Sequence, residues 1–486
     1  MKKFLALSLV ASLTAAAQTA MDAHRWYLDP HGQNVSISVD DLHDEVIVAE
    51  PRMDWGRSAV AGLALRKDVL IAVIDGGMEL DHPELKAHLA YNTAECAEGN
   101  IIPSATEDRD GNGYKGDCAG WNFVKNDNRP DDLDGHGTHV TGVIRSVMAG
   151  VQGNFRFLPL NVFAPGEGGT QSAPGGTPLP VRLTRAFEYA MSRDVDVIHM
   201  SVGWPRSYMT PELEAVIKKA IARGIAVVAA AGNSSQRAMI YPCRIEGVVC
   251  VGALRPDGTV ARFSNWGSQV DVFAPGEKIL STIPHSIAPL HISRRGYDFK
   301  NGTSQAAPFI SAAFALLRGA YPDEPLSALY ARLMTTADKA PGERGLKGLF
   351  RLGAALAAPA RSFVFPTLKG LGTVAVDARG GFTLEVPFKN HWVASAPTAV
   401  GFSCEGSETS VSPRRLAALA PEAVASVTVR GRVADNALEL DCSVTAGQEI
   451  VPLKLKVLRP MPMPSARLTV TQTEPLVLRT RLGVRS

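Results

Sequence analysis

Five short apolar runs, each bounded by polar residues or glycine, punctuate the chain: Val69-Leu70-Ile71-Ala72-Val73-Ile74, then 157–162, 195–200, 225–230 and 248–253. Unbroken runs of this length suit strands buried on both faces. Between them, 183–191 and 211–223 carry apolar residues at helical spacing, the second with Pro211 near its start and Gly224 at its stop, which are helix start and stop signals. Further helices are predicted at 304–320 and 326–336. Strand alternating with helix predicts an α/β domain over 56–360, a mostly parallel sheet with helices on both faces and ligands outside the carboxyl ends of its strands. After Pro359 the pattern turns to period two, as in Phe382-Thr383-Leu384-Glu385-Val386 and Leu438-Glu439-Leu440. A small β-sandwich is expected over 363–460, followed by a tail at 461–486 that holds a possible strand, Leu468-Thr469-Val470.

The N-terminus has a different texture. Lys2 and Lys3 precede an apolar run at 4–13 and then Thr14-Ala15-Ala16-Ala17, the shape of a secretory signal peptide cut after Ala17, with a buried N-terminal helix as the alternative. Residues 18–55 are polar and mixed apart from the alternating Val35-Ser36-Ile37-Ser38-Val39, and read as a pro-segment or arm. No later run reaches the roughly 20 apolar residues of a membrane span. Lys and Arg number 50 against 48 Asp and Glu, a balance that gives no indication of nucleic acid or an anionic membrane as a partner. In an exported chain the even count of six cysteines suggests disulfides, and of the roughly 15 connectivities that six cysteines allow the pairing of neighbours is expected, Cys96 with Cys118, Cys243 with Cys250 and Cys404 with Cys442, with free buried thiols as the alternative.

Candidate chemistry falls at strand ends and helix starts. Asp75 closes the first apolar run. His136 lies in Asp134-Gly135-His136-Gly137-Thr138-His139, ahead of an apolar helical stretch, and Asn233 ends Ala230-Ala231-Gly232-Asn233. Ser304, in Asn301-Gly302-Thr303-Ser304-Gln305-Ala306-Ala307-Pro308, stands where a helix begins, and from that octet alone an N-cap is the commoner explanation. Its partners supply another. A hydroxyl becomes a nucleophile when a histidine takes its proton, and a buried carboxylate holds that histidine in one tautomer. The Asn233 amide and the Ser304 backbone N–H can bind the oxyanion that forms. The competing chemistry, a zinc pair of His136 and His139, lacks the general-base Glu of a zincin motif and leaves Asp75 and Ser304 unused.

With Ser201-Val202-Gly203 and Ala274-Pro275-Gly276 added in the same order, these segments resemble the subtilisin-like serine proteases, the subtilase family, over about 55–360. The resemblance implies an endopeptidase whose polypeptide substrate adds as a strand against Ser201, Val202 and Gly203. It also implies that 234–241 helps to shape a side-chain pocket and that the loop 164–180 borders the cleft. Three departures stand out. Gly76 replaces the usual Ser or Thr and is expected to loosen the bonding around Asp75; Trp204 replaces a common glycine and is expected to crowd the cleft; the segment before the first strand is short for a folding-assisting propeptide. A catalytically inactive subtilase fold used for binding is the alternative.

A second site is suggested by Asp108-Arg109-Asp110-Gly111-Asn112-Gly113-Tyr114-Lys115-Gly116-Asp117. Oxygen-bearing residues Asp108, Asp110, Asn112, Tyr114 and Asp117 around turn glycines suit a structural calcium ion, or a polar surface turn, and the bidentate Glu of a full calcium loop is missing. Glu84 resembles another calcium position of the family. The C-terminal β-domain is a candidate binding surface.

Overall fold

The computed structural model describes residues 57–459 except 98, 102–104, 165–175, 238–239, 268, 288–295, 339–347 and 370. The expected signal peptide, the arm, the tail and most of the loop 164–180 lie outside the described residues.

The apolar runs become strands of one sheet. In chain order β1 (Val69–Asp75), β2 (Trp121–Asn122), β3 (Phe155–Asn161), β4 (Val197–Met200), β5 (Ala226–Ala230), β6 (Val249–Leu254) and β7 (Val272–Pro275) are arranged β2-β3-β1-β4-β5-β6-β7. Every neighbouring pair is parallel. The central strands are buried along nearly their whole length, which is why they show no alternation in sequence. Strands β2 and β7 are too short for a periodic signal and were not anticipated.

Helices α1 (His136–Val147), α2 (Leu179–Ser192), α3 (Pro211–Ala222) and α4 (Thr303–Ala320) cover the sheet, with α5 (Leu326–Thr336) and α6 (Leu352–Ala357) behind them. α1 packs on α4 and α2 on α3, and each pair also packs on the sheet. In α3, Thr210 caps the start by accepting from Leu213 N at 3.2 Å, and Pro211 occupies the first turn, where its missing N–H costs nothing. α2 starts earlier than its apolar spacing suggested because Pro180 fits a first turn. The hairpin β8 (Ile279–Thr282) and β9 (Tyr297–Lys300) delivers the chain to α4.

Beyond residue 360 two sheets share a second apolar core built from Val386, Phe388, Val429, Val444, Leu453 and others. One holds β10 (Val364–Pro366), β12 (Gly381–Asn390), β16 (Val424–Arg432) and β14 (Glu408–Ser412). The other holds β11 (Thr373–Ala375), β18 (Glu449–Leu458), β17 (Glu439–Ala446), β13 (Thr398–Cys404) and β15 (Arg415–Leu416). Alternating burial along β17 and β18 matches their period-two sequence. The two units are joined by a partly buried ion pair, Lys369 Nζ to Asp271 Oδ2 at 2.7 Å, with Tyr330 OH donating to the other Asp271 oxygen at 2.9 Å. All three neighbouring cysteine pairs are disulfides.

Candidate active site

The turn before α4 explains where Ser304 points. Gly302 has φ 156° and ψ 161°, a backbone region open essentially to glycine, and a Cβ there would meet Gln305 Oε1 at 2.9 Å. Gly302 is therefore the cap residue, and Ser304 is the second residue of the helix; the capping role that the octet suggested falls to its neighbour. At that position the Ser304 N–H has no intrahelical acceptor and faces outward as a donor. Pro308 adds a second consequence. It lacks the N–H that would bond the carbonyl of Ser304, four residues back, and Ser201 Oγ supplies that bond instead, at 2.6 Å. Ser304 Oγ in return donates to Ser201 O at 3.0 Å. The serine is thus tied at both its hydroxyl and its carbonyl to the predicted substrate strand.

Ser201 is itself held from beneath. Its hydroxyl donates to Ser304, so it accepts from His199 Nε2 at 2.9 Å, which puts the imidazole proton on that nitrogen; Nδ1 accepts from Ser311 Oγ at 2.8 Å. Burial holds the His199 pKa down at about 3, so this ring is a neutral strut.

His136 opens α1, and its Nδ1 lies 2.8 Å from Asp75 Oδ1 at the end of β1. Burial alone would lower the imidazole's pKa, but the charge and hydrogen bond of Asp75 outweigh it and the net shift is upward. Asp75 moves the other way: burial raises its pKa, and His136 together with the Gly76 N–H at 2.7 Å more than reverses this. Asp75 Oδ2 is buried and receives no hydrogen bond from the described residues, in keeping with the looser bonding expected from Gly76. The start of α1 is set by Asp132, which accepts from Gly135 N at 2.8 Å, Thr138 N at 2.8 Å and Asp134 N at 3.1 Å. Burial holds the Asp132 pKa up at about 6 despite these donors. His139 turns inward, its Nε2 donating to Ile279 O and Asp298 O, both at 3.1 Å. With one histidine on carbonyls and the other on Asp75, the zinc pair has no support. The remaining link, from Ser304 Oγ to His136 Nε2, is not made in this structure; catalytic hydrogen bonds often close only when substrate is bound.

Asn233 is oriented by two donors of Thr303 that converge on its amide oxygen. Its Oδ1 accepts from Thr303 N at 2.9 Å and Thr303 Oγ1 at 3.0 Å, while Thr303 Oγ1 accepts from Gly232 N at 3.0 Å. The Nδ2 end is thereby fixed as the donor, on the side where Gly302 leads into Ser304. Asn265, which nothing in the sequence singled out, braces the turn: it donates to Ala231 O at 2.9 Å and accepts from Ser234 N at 3.0 Å and Gln236 N at 3.2 Å.

Among the described residues none bonds the backbone of Val202 or Gly203, which leaves them open to an added strand. Trp204 does not crowd this edge. It exchanges backbone bonds with Tyr241 at 2.8 and 2.9 Å, and its ring is only 1% exposed, inside the core. Ile240 lies against the edge instead: a Cβ on Gly203 would meet its Cδ1 at 2.0 Å, and one on Gly232 at 3.0 Å.

Of the residues predicted for calcium, Asp108 and Asp110 converge, and the third carboxylate is Glu95; one oxygen of each lies within 4.8 Å of the others. No Lys or Arg among the described residues pairs with any of the three. Asn112 is instead occupied by Tyr114 N at 2.8 Å and by Asp110 and Asp117, the Tyr114 ring packs on Trp121 and Tyr189, and Asp117 is buried on Asn92, Asn112 and Tyr189. Glu84 pairs with Arg145 at 3.6 Å and accepts from Tyr297 OH.

The comparisons with known proteins identify the class to which this parallel α/β fold belongs. Residues 66–353 match the family model described as the subtilase family, and the chain belongs to that family and is a subtilisin-like serine endopeptidase. It is 34% identical to subtilisin DY of Bacillus licheniformis over 45% of this chain and 76% of that protein. It is 30% identical to the major intracellular serine protease of Bacillus subtilis (strain 168) over 60% of this chain and 80% of that protein. A solved structure described as that of a lanthipeptide protease aligns with a TM-score of 0.46 and 22% identity, covering 60% of this chain and 87% of its own.

Proposed function

We propose that this endopeptidase is secreted and cuts polypeptides through Ser304 as nucleophile, His136 as general base and Asp75 as the carboxylate that orients it. The observation that carries the reading is the 2.8 Å contact of Asp75 with His136 Nδ1, which leaves Nε2 as the basic nitrogen. A substrate strand that takes Ser201 O as acceptor displaces Ser304 Oγ from it and frees the hydroxyl to turn to His136. Ser304 then attacks the scissile carbonyl while His136 takes its proton. The oxyanion is bound by Ser304 N–H and Asn233 Nδ2; His136 returns the proton to the leaving amine, and water repeats the sequence on the acyl-enzyme. Secretion rests on the pattern at 1–17, and three disulfides suit an oxidising compartment. Exposed Val424, Leu438 and Ile450 keep the C-terminal β-domain a candidate binding surface. Casein hydrolysis by the purified protein tests the reading against the inactive binding fold, for which no cleavage is expected.

Three results are expected from this arrangement. Asn233→Ala lowers kcat by about 10² to 10³ with KM little changed, because the lost donor acts mainly in the transition state. Asn265→Ala lowers kcat about tenfold by loosening the same turn, and in the Asn233→Ala background it has no further effect; a double-mutant cycle on kcat checks this. Ile240→Ala opens the space between Gly203 and Gly232, so a peptide library shifts toward larger residues on the acyl side of the cut.

We assign a structural calcium ion to Glu95, Asp108 and Asp110, hard oxygen donors whose charge no basic side chain among the described residues offsets. A chelator is expected to lower Tm by several degrees. At calcium about 100 times Kd the ion contributes about 2.7 kcal/mol. Glu95→Gln should abolish the chelator's effect, and an unchanged midpoint in the unsubstituted protein would remove the assignment.

A further inference from the structure

A different set of side chains, not used in the mechanism, gathers just beyond Asp75. Glu79 follows β1, His82 lies in the next turn, and His285 comes from the segment after β8; each offers one ligand atom, and these atoms lie within 4.8 Å of one another. We propose that Glu79, His82 and His285 form a binding site for a divalent transition metal, with zinc the ion that fits them best.

The two imidazoles converge. Their centroids are 5.1 Å apart with the planes tilted by 36°. A Cβ on Gly296, whose φ is +81°, would sit 3.3 Å from His285 Nε2 and 3.4 Å from His82 Nε2, so both nitrogens face one glycine and a side chain there would fill the space between them. The Glu79 carboxylate accepts from His285 N at 2.9 Å and lies 2.8 Å from His285 Nδ1. The ring proton of His285 therefore sits on Nδ1, and Nε2 keeps its lone pair. Carboxylate oxygens retain further lone pairs for an ion. His82 is 1% exposed, so its ring is buried against this space. Without metal its Nδ1 accepts from Glu84 N at 3.2 Å and its Nε2 faces Gly296 O at 3.4 Å. Both bonds are long; ligation through Nε2 moves the proton to Nδ1 and gives them up.

A hydrogen bond that merely staples the 284–287 turn accounts for Glu79 and His285. It does not account for a second, buried imidazole turned to the same spot. Two imidazoles and a carboxylate, with water in the fourth position, are the donors of zinc, whereas calcium takes oxygen. An ion here joins the loop after β1 to the segment after β8, and Glu79 N already donates to Thr138 Oγ1 at 3.0 Å on the helix that carries His136.

The test is zinc titration of the purified full chain at saturating calcium, followed by thermal unfolding and by metal analysis after gel filtration, with cobalt as a spectroscopic probe. About one zinc per chain is expected, together with a Tm raised by a few degrees and, for cobalt, the intense visible absorption of a four-coordinate ion. His285→Ala, at a half-exposed position, and Glu79→Gln should each weaken uptake about tenfold or more, and in both the rise of Tm on adding zinc, measured from that variant's own metal-free Tm, should be lost. Absence of retained zinc, or uptake that persists in both variants, overturns the proposal.

Discussion

Ser304→Ala is expected to lower kcat about 10⁶-fold, a magnitude known for subtilisin. The fold should survive. The Ser304 hydroxyl makes one hydrogen bond, to Ser201 O, whose loss costs about 1 kcal/mol. The bond that Ser201 Oγ makes to the Ser304 carbonyl remains, so the helix start keeps its attachment to the substrate strand. Because Asn233 and the Ser304 N–H are retained, a residual rate of about 10³ over water is expected. Progress curves on a fluorogenic peptide, read beside circular dichroism to establish that the variant is folded, check both halves of this expectation.

Asp75→Asn carries the second largest effect, about 10⁴ in kcat. Asparagine keeps the shape but presents an N–H₂ group or a neutral oxygen to His136 Nδ1, so the tautomer with a basic Nε2 loses its anchor. The pH profile moves as well. With His136 as the proposed base, only its neutral form accepts the Ser304 proton, and activity is expected to be lost as pH falls through a His136 pKa that Asp75 holds above the ordinary imidazole value. Without the Asp75 charge, burial is left to lower that pKa, and the acidic limb of kcat/KM against pH shifts to lower pH even as the plateau falls. An unmoved limb would mean that the limb does not report His136.

Much of this was legible in the sequence, for identifiable reasons. Runs such as 69–74 read as buried strands because both of their faces are covered, and Asp75, His136, Asn233 and Ser304 are proposed as the catalytic set because each stands next to an element end. What escaped notice were residues whose role exists only across long separations. His199 looks like one more residue of a buried strand until Ser311 and Ser201 meet its two nitrogens. Asn265 lies in a loop, and only folding brings it under the turn that carries Asn233. Glu95 precedes the Asp108 loop by 13 positions, so no local spacing could join them. Two local readings were redirected by backbone conformation: Gly302 took the cap that Ser304 suggested, and the bond exchange with Tyr241 turned Trp204 into the core.

The central claim is that Ser304 is the nucleophile and His136 its base. The most direct measurement is covalent labelling with a fluorophosphonate, with the adduct located by mass spectrometry. A single adduct on the peptide containing Ser304 is expected, lost in Ser304→Ala and strongly slowed in a His136→Ala variant. Labelling that persists in Ser304→Ala, or an adduct on another residue, would contradict the account.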